Sequence, residues 1–221
     1  MSLPIRYEIR GFYSDPVRLW KLGFMLDETW PEECIFNTLA ELFYFRYSVE
    51  SAHSPDSSRI IYLPTWFYTG AHRLYHLNPR LYSNNINTLR GRLRTSNIQH
   101  VAFLVHQNSH FTAYIYDFTS TLTFVDSAGG SAKSEVLDIL GWVLGGLEIP
   151  LPLQFNRGLT DLQSFEFGSG SCGFAAHYFV MHFLDATRWP PWCAKNSQYF
   201  REQQLCHLLL YLSIVLEDDT V

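Results

Sequence analysis

In the run Gly168-Ser-Gly-Ser-Cys172-Gly-Phe-Ala-Ala-His177-Tyr-Phe-Val-Met-His182-Phe-Leu-Asp-Ala186, a small flexible segment gives way to a long apolar stretch without proline. That pattern predicts a buried helix with Cys172 at or just before its N-terminus. Unpaired N–H groups and the positive end of the helix dipole favour an anion there, so thiolate is favoured over thiol. The glycines, Gly170 among them, let backbone approach backbone, so that a substrate strand could lie beside the sulfur. A core cysteine at a glycine-rich turn would read the same way. The decision between the two rests on residues upstream.

The clearest β signal of the chain lies there. His100-Val-Ala-Phe-Leu-Val105, His110-Phe-Thr-Ala-Tyr-Ile-Tyr116 and Thr121-Leu-Thr-Phe-Val125 are rich in β-branched and aromatic residues. Polar turns at 107–109 and 117–120 separate them, which predicts an antiparallel meander. His110 starts the second strand and Asp126 closes the third. If these strands pair about the 117–120 turn, the two residues are neighbours across the ladder. A carboxylate beside an imidazole fixes its tautomer and stabilises its protonated form. The imidazole can then take the proton of a thiol delivered by the helix that begins at Cys172. Two strand ends and one helix start thus predict a Cys172, His110, Asp126 constellation for nucleophilic catalysis. Asp117 is the alternative carboxylate, but it sits at the turn end of the hairpin, remote from His110.

Around this centre the chain reads as one domain. Ile35, Phe36, Leu39, Leu42 and Phe43 recur at spacings of three and four, a helix with Pro31 near its first turn and Thr29 placed to cap it. Residues 1–29 read as an N-terminal arm and 51–58 as a loop. Residues 60–63 read as a short buried strand that Pro64 breaks before Trp66, Phe67 and Tyr68. Residues 69–97 suggest a helix and then a polar connection. Residues 134–147 form a helix ending at Gly145 and Gly146, and a strand runs around 151–155. A long apolar helix at 197–217 ends the chain.

Composition sets the bounds. The 221 residues are 47% hydrophobic and 17% charged, which fits a folded globular chain. A formal charge of -5 gives a nucleic-acid partner no electrostatic support. Cys34, Cys172, Cys193 and Cys206 show no CxxC pair and no His-rich metal spacing, so neither metal nor cofactor is expected. They read as free thiols of a reducing compartment, with Cys193 and Cys206 as core packing. His177 and His182 read as structural. No signal pattern opens the chain and no run approaches the ~18 apolar residues of a membrane span. The expectation is an intracellular protein, nuclear or cytoplasmic.

His110-Phe111, Asp126-Ser127 and Ser171-Cys172-Gly173-Phe174 resemble the signature of the ubiquitin-like-protein-specific cysteine proteases. This Ulp1-like family includes the SUMO (sentrin) proteases. Trp30-Pro-Glu-Glu-Cys-Ile35, residues 60–68 and Phe200-Arg201 extend the resemblance over nearly all of 30–221. It implies an α+β, papain-like fold, a small and mostly antiparallel sheet flanked by helices with the nucleophile helix at its centre. It also implies cleavage after the C-terminal Gly-Gly of a ubiquitin-like modifier, SUMO first, by a monomer. Trp30 and Trp66 would line a narrow groove for the Gly-Gly tail, with Phe111 and Gly170 also against substrate. The chain departs from the family pattern in three places. Phe111 stands for the usual Trp and Ser171 for the usual Asp. Glu166 falls where the family has the glutamine that supports the oxyanion, and a carboxylate cannot donate that hydrogen bond. Gln163 is the favoured replacement and Gln107 the second. The alternatives are an inactive module that binds a ubiquitin-like protein, and a protease or acyltransferase of the same fold with another polypeptide substrate.

Overall fold

The three strands expected from the sequence form the middle of a five-stranded sheet. The structure, a computed structural model, describes residues 8–9, 17–27, 29–51, 60–95, 98–164 and 166–218. The elements run β1 (Glu8–Ile9), β2 (Val17–Arg18), α1 (Glu33–Ser51), β3 (Ile60–Leu63), α2 (Thr65–Leu77), α3 (Asn84–Thr95), β4 (His100–Gln107), β5 (His110–Tyr116), β6 (Thr121–Val125), α4 (Ser134–Leu144), β7 (Gln154–Arg157), α5 (Cys172–Leu184) and α6 (Ser197–Asp218). A 3₁₀ turn at Leu19–Met25 follows the small β1–β2 pair, and another at Ala194–Asn196 precedes α6. Of the expected arm, 1–7 and 10–16 lie outside the described residues, as does the expected loop from 52 onward.

The sheet order is β3-β4-β5-β6-β7. β4–β5 and β5–β6 are antiparallel, whereas β3–β4 and β6–β7 are parallel. The sheet is therefore evenly mixed, not mostly antiparallel. The β4–β5 hairpin turns on Asn108 and Ser109, both at positive φ (54° and 57°), the primed two-residue turn whose twist suits paired strands. That turn fixes the register in which His110 faces Gln107.

Alternation along β5 serves two cores. Phe111, Ala113 and Ile115 face α1 and α5, while Tyr114 and Tyr116 face α2, α3 and α4. α5 is buried without interruption from Cys172 to Met181, so its apolar run has no solvent face to mark with polar residues. Beyond Pro64, Trp66 to Tyr68 belong to α2, because the proline fixes an extended residue that starts a helix. The polar connection expected near its end is α3, whose Ile86, Leu89 and Leu93 are buried at helical spacing among asparagines and arginines. β7 begins at Gln154, beyond Pro152, which lacks the N–H a ladder needs.

Candidate active site

Two backbone features set the start of α5. Gly168 and Gly170 take positive φ (73° and 76°), and the N–H of Ser171 closes the turn onto the Gly168 carbonyl at 2.9 Å. A Cβ on Gly173 would lie 2.0 Å from the Phe36 ring, so glycine lets α1 press against the backbone next to the sulfur. Phe36 in turn packs on Phe111 (4.7 Å between centroids) and Phe174 (5.3 Å). Cys172 is 1% exposed, at the floor of the site.

His110 is the first residue of β5, and Asp126 directly follows β6. Because Ala113 pairs with Val125, the register carries Asp126 alongside the start of β5. His110 Nε2 and Asp126 Oδ1 are 2.7 Å apart. The Cys172 thiol is the second group that favours the protonated form of the ring. The Asp126 hydrogen bond, then the Cys172 hydrogen bond, push the His110 pKa up to about 9 against the opposing effect of burial. His110 is therefore an imidazolium at neutral pH.

The Asp126 carboxylate is itself clamped. Burial works to raise its pKa, but the His110 hydrogen bond, the Ala128 N–H and the charges of His110 and Arg157 outweigh it and hold the group below the usual carboxylate range. The Ala128 N–H reaches Oδ1 at 2.8 Å. A Cβ on Gly130 would stand 2.4 Å from Oδ2, so the glycine leaves room for the carboxylate. Arg157 at the end of β7 holds that loop through the Gly130 carbonyl at 3.2 Å.

The other expected residues divide. Trp30 (54%) and Trp66 (39%) are exposed near the starts of α1 and α2. Those two helix starts are tied together by Thr65, whose hydroxyl bonds Glu33 at 2.8 Å and whose N–H bonds Asn37 at 2.7 Å. Phe111, expected against substrate, is instead 4% exposed. It is sandwiched between Phe36 and the stacked His106 ring (4.2 Å), because odd positions of β5 point into the α5 core. Gly170 is buried and supplies the left-handed turn before Cys172. Gln163 lies beside the Asp126 end of the site, its N–H on the Ser127 carbonyl (2.9 Å) and its Oε1 near the Ser127 hydroxyl (3.5 Å). Gln107 accepts a hydrogen bond from Lys133 and lines the same cavity as His110 and Asp126. His177 bonds the Tyr62 hydroxyl at 3.0 Å and His182 the Trp189 carbonyl at 2.7 Å. Cys193 is half-buried, but Cys206 is exposed and so is not core packing.

Sequence reasoning named Arg201 only within the resemblance, without a role, and missed the contacts behind the site. Arg201 of α6, fully buried, donates from Nε to Ser171 Oγ at 2.9 Å and lies over the Phe174 ring. Its remaining nitrogens reach the carbonyls of Phe24, Asp27 and Thr29. One guanidinium thus ties the last helix to the residue before Cys172 and to the segment leading into Trp30. An arginine inside an apolar helix pattern was the available signal. Glu33 and His106 share a hydrogen bond beside Phe111, which no local spacing could reveal.

A thiol, an imidazole and a carboxylate that holds the imidazole meet at the tip of a central helix beside a sheet, a set of groups suited to nucleophilic thiol chemistry. The solved structures similar to this chain are more particular. The SUMO protease Ulp1 with its catalytic cysteine oxidised to a sulfenic acid superposes with a TM-score of 0.68 at 15% identity, covering 94% of this chain and 90% of that one. The C-terminal Ulp1 protease domain in complex with Smt3, the yeast orthologue of SUMO, gives 0.66 at 13% identity over 94% and 88%. The Chaetomium thermophilum Ulp1-like SUMO protease catalytic domain gives 0.61 at 15% over 85% and 74%. No protein-family model matches the sequence, and no curated protein matches it. The chain has the fold of the Ulp1-like SUMO proteases.

Proposed function

We propose that this chain is a Ulp1-like cysteine protease that cleaves after the C-terminal Gly-Gly of a ubiquitin-like modifier, SUMO being the first substrate to test. The observation that carries the reading is the 2.7 Å hydrogen bond of His110 to Asp126, with the Cys172 thiol acting on the same ring. In this mechanism the Cys172 thiolate attacks the scissile carbonyl. The Cys172 N–H and the Gln163 amide receive the developing oxyanion. His110 gives its proton to the leaving amine, the C–N bond breaks and a thioester remains. His110, now neutral, takes a proton from water as that water attacks the thioester, and the modifier leaves with a free carboxylate. Asp126 keeps the ring oriented throughout. In this reading exposed Trp30 and Trp66 would line the approach for the modifier tail, and exposed Leu159, Leu162 and Phe167 on the loop before Cys172 would offer apolar contact to a protein partner. The catalytic unit spans 30–221, with 1–29 as an arm.

The experiment is covalent labelling with SUMO, ubiquitin and NEDD8 carrying C-terminal vinyl sulfones. A SUMO adduct that disappears in Cys172→Ala supports the protease, and an adduct with another modifier would reassign the substrate. Exposed Glu166 at the family's glutamine position favours a second reading, a binding module. Tight modifier binding with no adduct would establish it.

A further inference from the structure

On the far side of the sheet, three side chains converge that the protease mechanism does not use. His72 and His76 stand one turn apart on α2, so both rings leave the same face of the helix, with centroids 4.7 Å apart. Glu135, in the first turn of α4, brings one carboxylate oxygen to both. Its Oε1 is 2.7 Å from His76 Nε2 and 3.3 Å from His72 Nε2. All three ligand atoms lie within 4.8 Å of one another. We propose that His72, His76 and Glu135 form a zinc site that clips α2 to α4.

The chemistry suits that ion. Zinc takes imidazole nitrogen and carboxylate oxygen at about 2.0–2.2 Å in tetrahedral geometry, and three protein ligands plus a water is one of its standard sets. Such bonds place neighbouring ligand atoms about 3.3–3.5 Å apart. The His72–Glu135 distance already meets this, and the His76–Glu135 distance needs only a small opening of two side chains that are 52% and 37% exposed. Both histidines present Nε2, so each Nδ1–H remains to fix the tautomer that leaves Nε2 its lone pair. The exposed side of the cluster gives the ion a path in and leaves the fourth position to water. Sequence reading around the cysteines could not find this site, because its carboxylate lies 59 residues from His76. Glu135 also follows closely on the loop that begins at Asp126, so an ion there would steady the start of α4 where that loop ends.

The test is calorimetric titration of the full chain with zinc chloride in a Cys172→Ala background, which removes the thiol paired with His110 as a competing ligand. One equivalent should bind, raise the thermal unfolding midpoint, and be weakened at least tenfold by His76→Ala and by Glu135→Gln. Cobalt substituted for zinc should give ligand-field bands without a thiolate charge-transfer band. The ligands are surface side chains, so both variants should unfold near the parent's midpoint without metal. His76→Gln serves in place of His76→Ala should that variant misfold. No binding to the parent, unchanged affinity in both variants, or a thiolate band would each overturn the proposal.

Discussion

Replacing Arg201 by alanine removes a guanidinium that is fully buried and donates to four acceptors, Ser171 Oγ and the carbonyls of Phe24, Asp27 and Thr29. A fully buried acceptor left without a donor costs about 1–3 kcal/mol, and here Ser171 Oγ is buried while the three carbonyls are only part-buried. Water entering the vacated space recovers part of that, so the low end of the range applies and the sum is about 4 kcal/mol. A domain whose whole stability is about 5–15 kcal/mol would keep only part of it. Arg201→Lys should recover little, since one ammonium cannot span a fork of acceptors on three segments. Equilibrium urea unfolding followed by tryptophan fluorescence gives the number. In conditions where Arg201→Ala stays folded, modifier-probe labelling should also slow, because the residue before Cys172 loses its anchor. A variant within 1 kcal/mol of the parent, labelling at the parent's rate, would refute this account of Arg201.

Gly173→Ala drives a methyl to within 2.0 Å of the Phe36 ring and should cost about 1–3 kcal/mol by overpacking. Phe36→Leu should restore part of that loss in the double variant, read by the same unfolding assay. Gly130→Ala sets a Cβ 2.4 Å from Asp126 Oδ2. It should slow probe labelling at least tenfold and lower the unfolding midpoint at neutral pH, because the displaced carboxylate weakens its hydrogen bond to His110. The His110 pKa is raised to about 9, so its contribution to folding stability is complete below about pH 6.5 and disappears as pH rises through about 9. The stability difference between the parent and His110→Ala should therefore shrink between pH 6.5 and 10, measured by urea unfolding across that range.

The centre of the fold was legible because it is local. β4, β5 and β6 alternate or run apolar between short polar turns, and antiparallel neighbours joined by such turns need no distant information. The same locality brought His110 and Asp126 together, since one hairpin register decides their distance. Cys172 was legible from the glycines before it and the apolar run after it. What escaped was long-range. β3 and β7 pair in parallel with strands tens of residues away, and parallel pairing leaves no turn to read. α3 hid behind asparagines whose side chains favour turns and caps, although Ile86, Leu89 and Leu93 kept helical spacing. Phe111 was misplaced for one reason. Successive residues of a strand point to opposite faces, and which face meets α5 is settled only by packing. Arg201 and Ser171 meet across two helices, a contact with no spacing at all.

The central claim is that His110 acts on the Cys172 sulfur. The most direct measurement is the iodoacetamide alkylation rate of Cys172 at pH 6.5, read on its own peptide by mass spectrometry, since exposed Cys206 also reacts. The account predicts rapid alkylation in the parent and a rate at least tenfold lower in His110→Ala. Equal rates in the two proteins would contradict it.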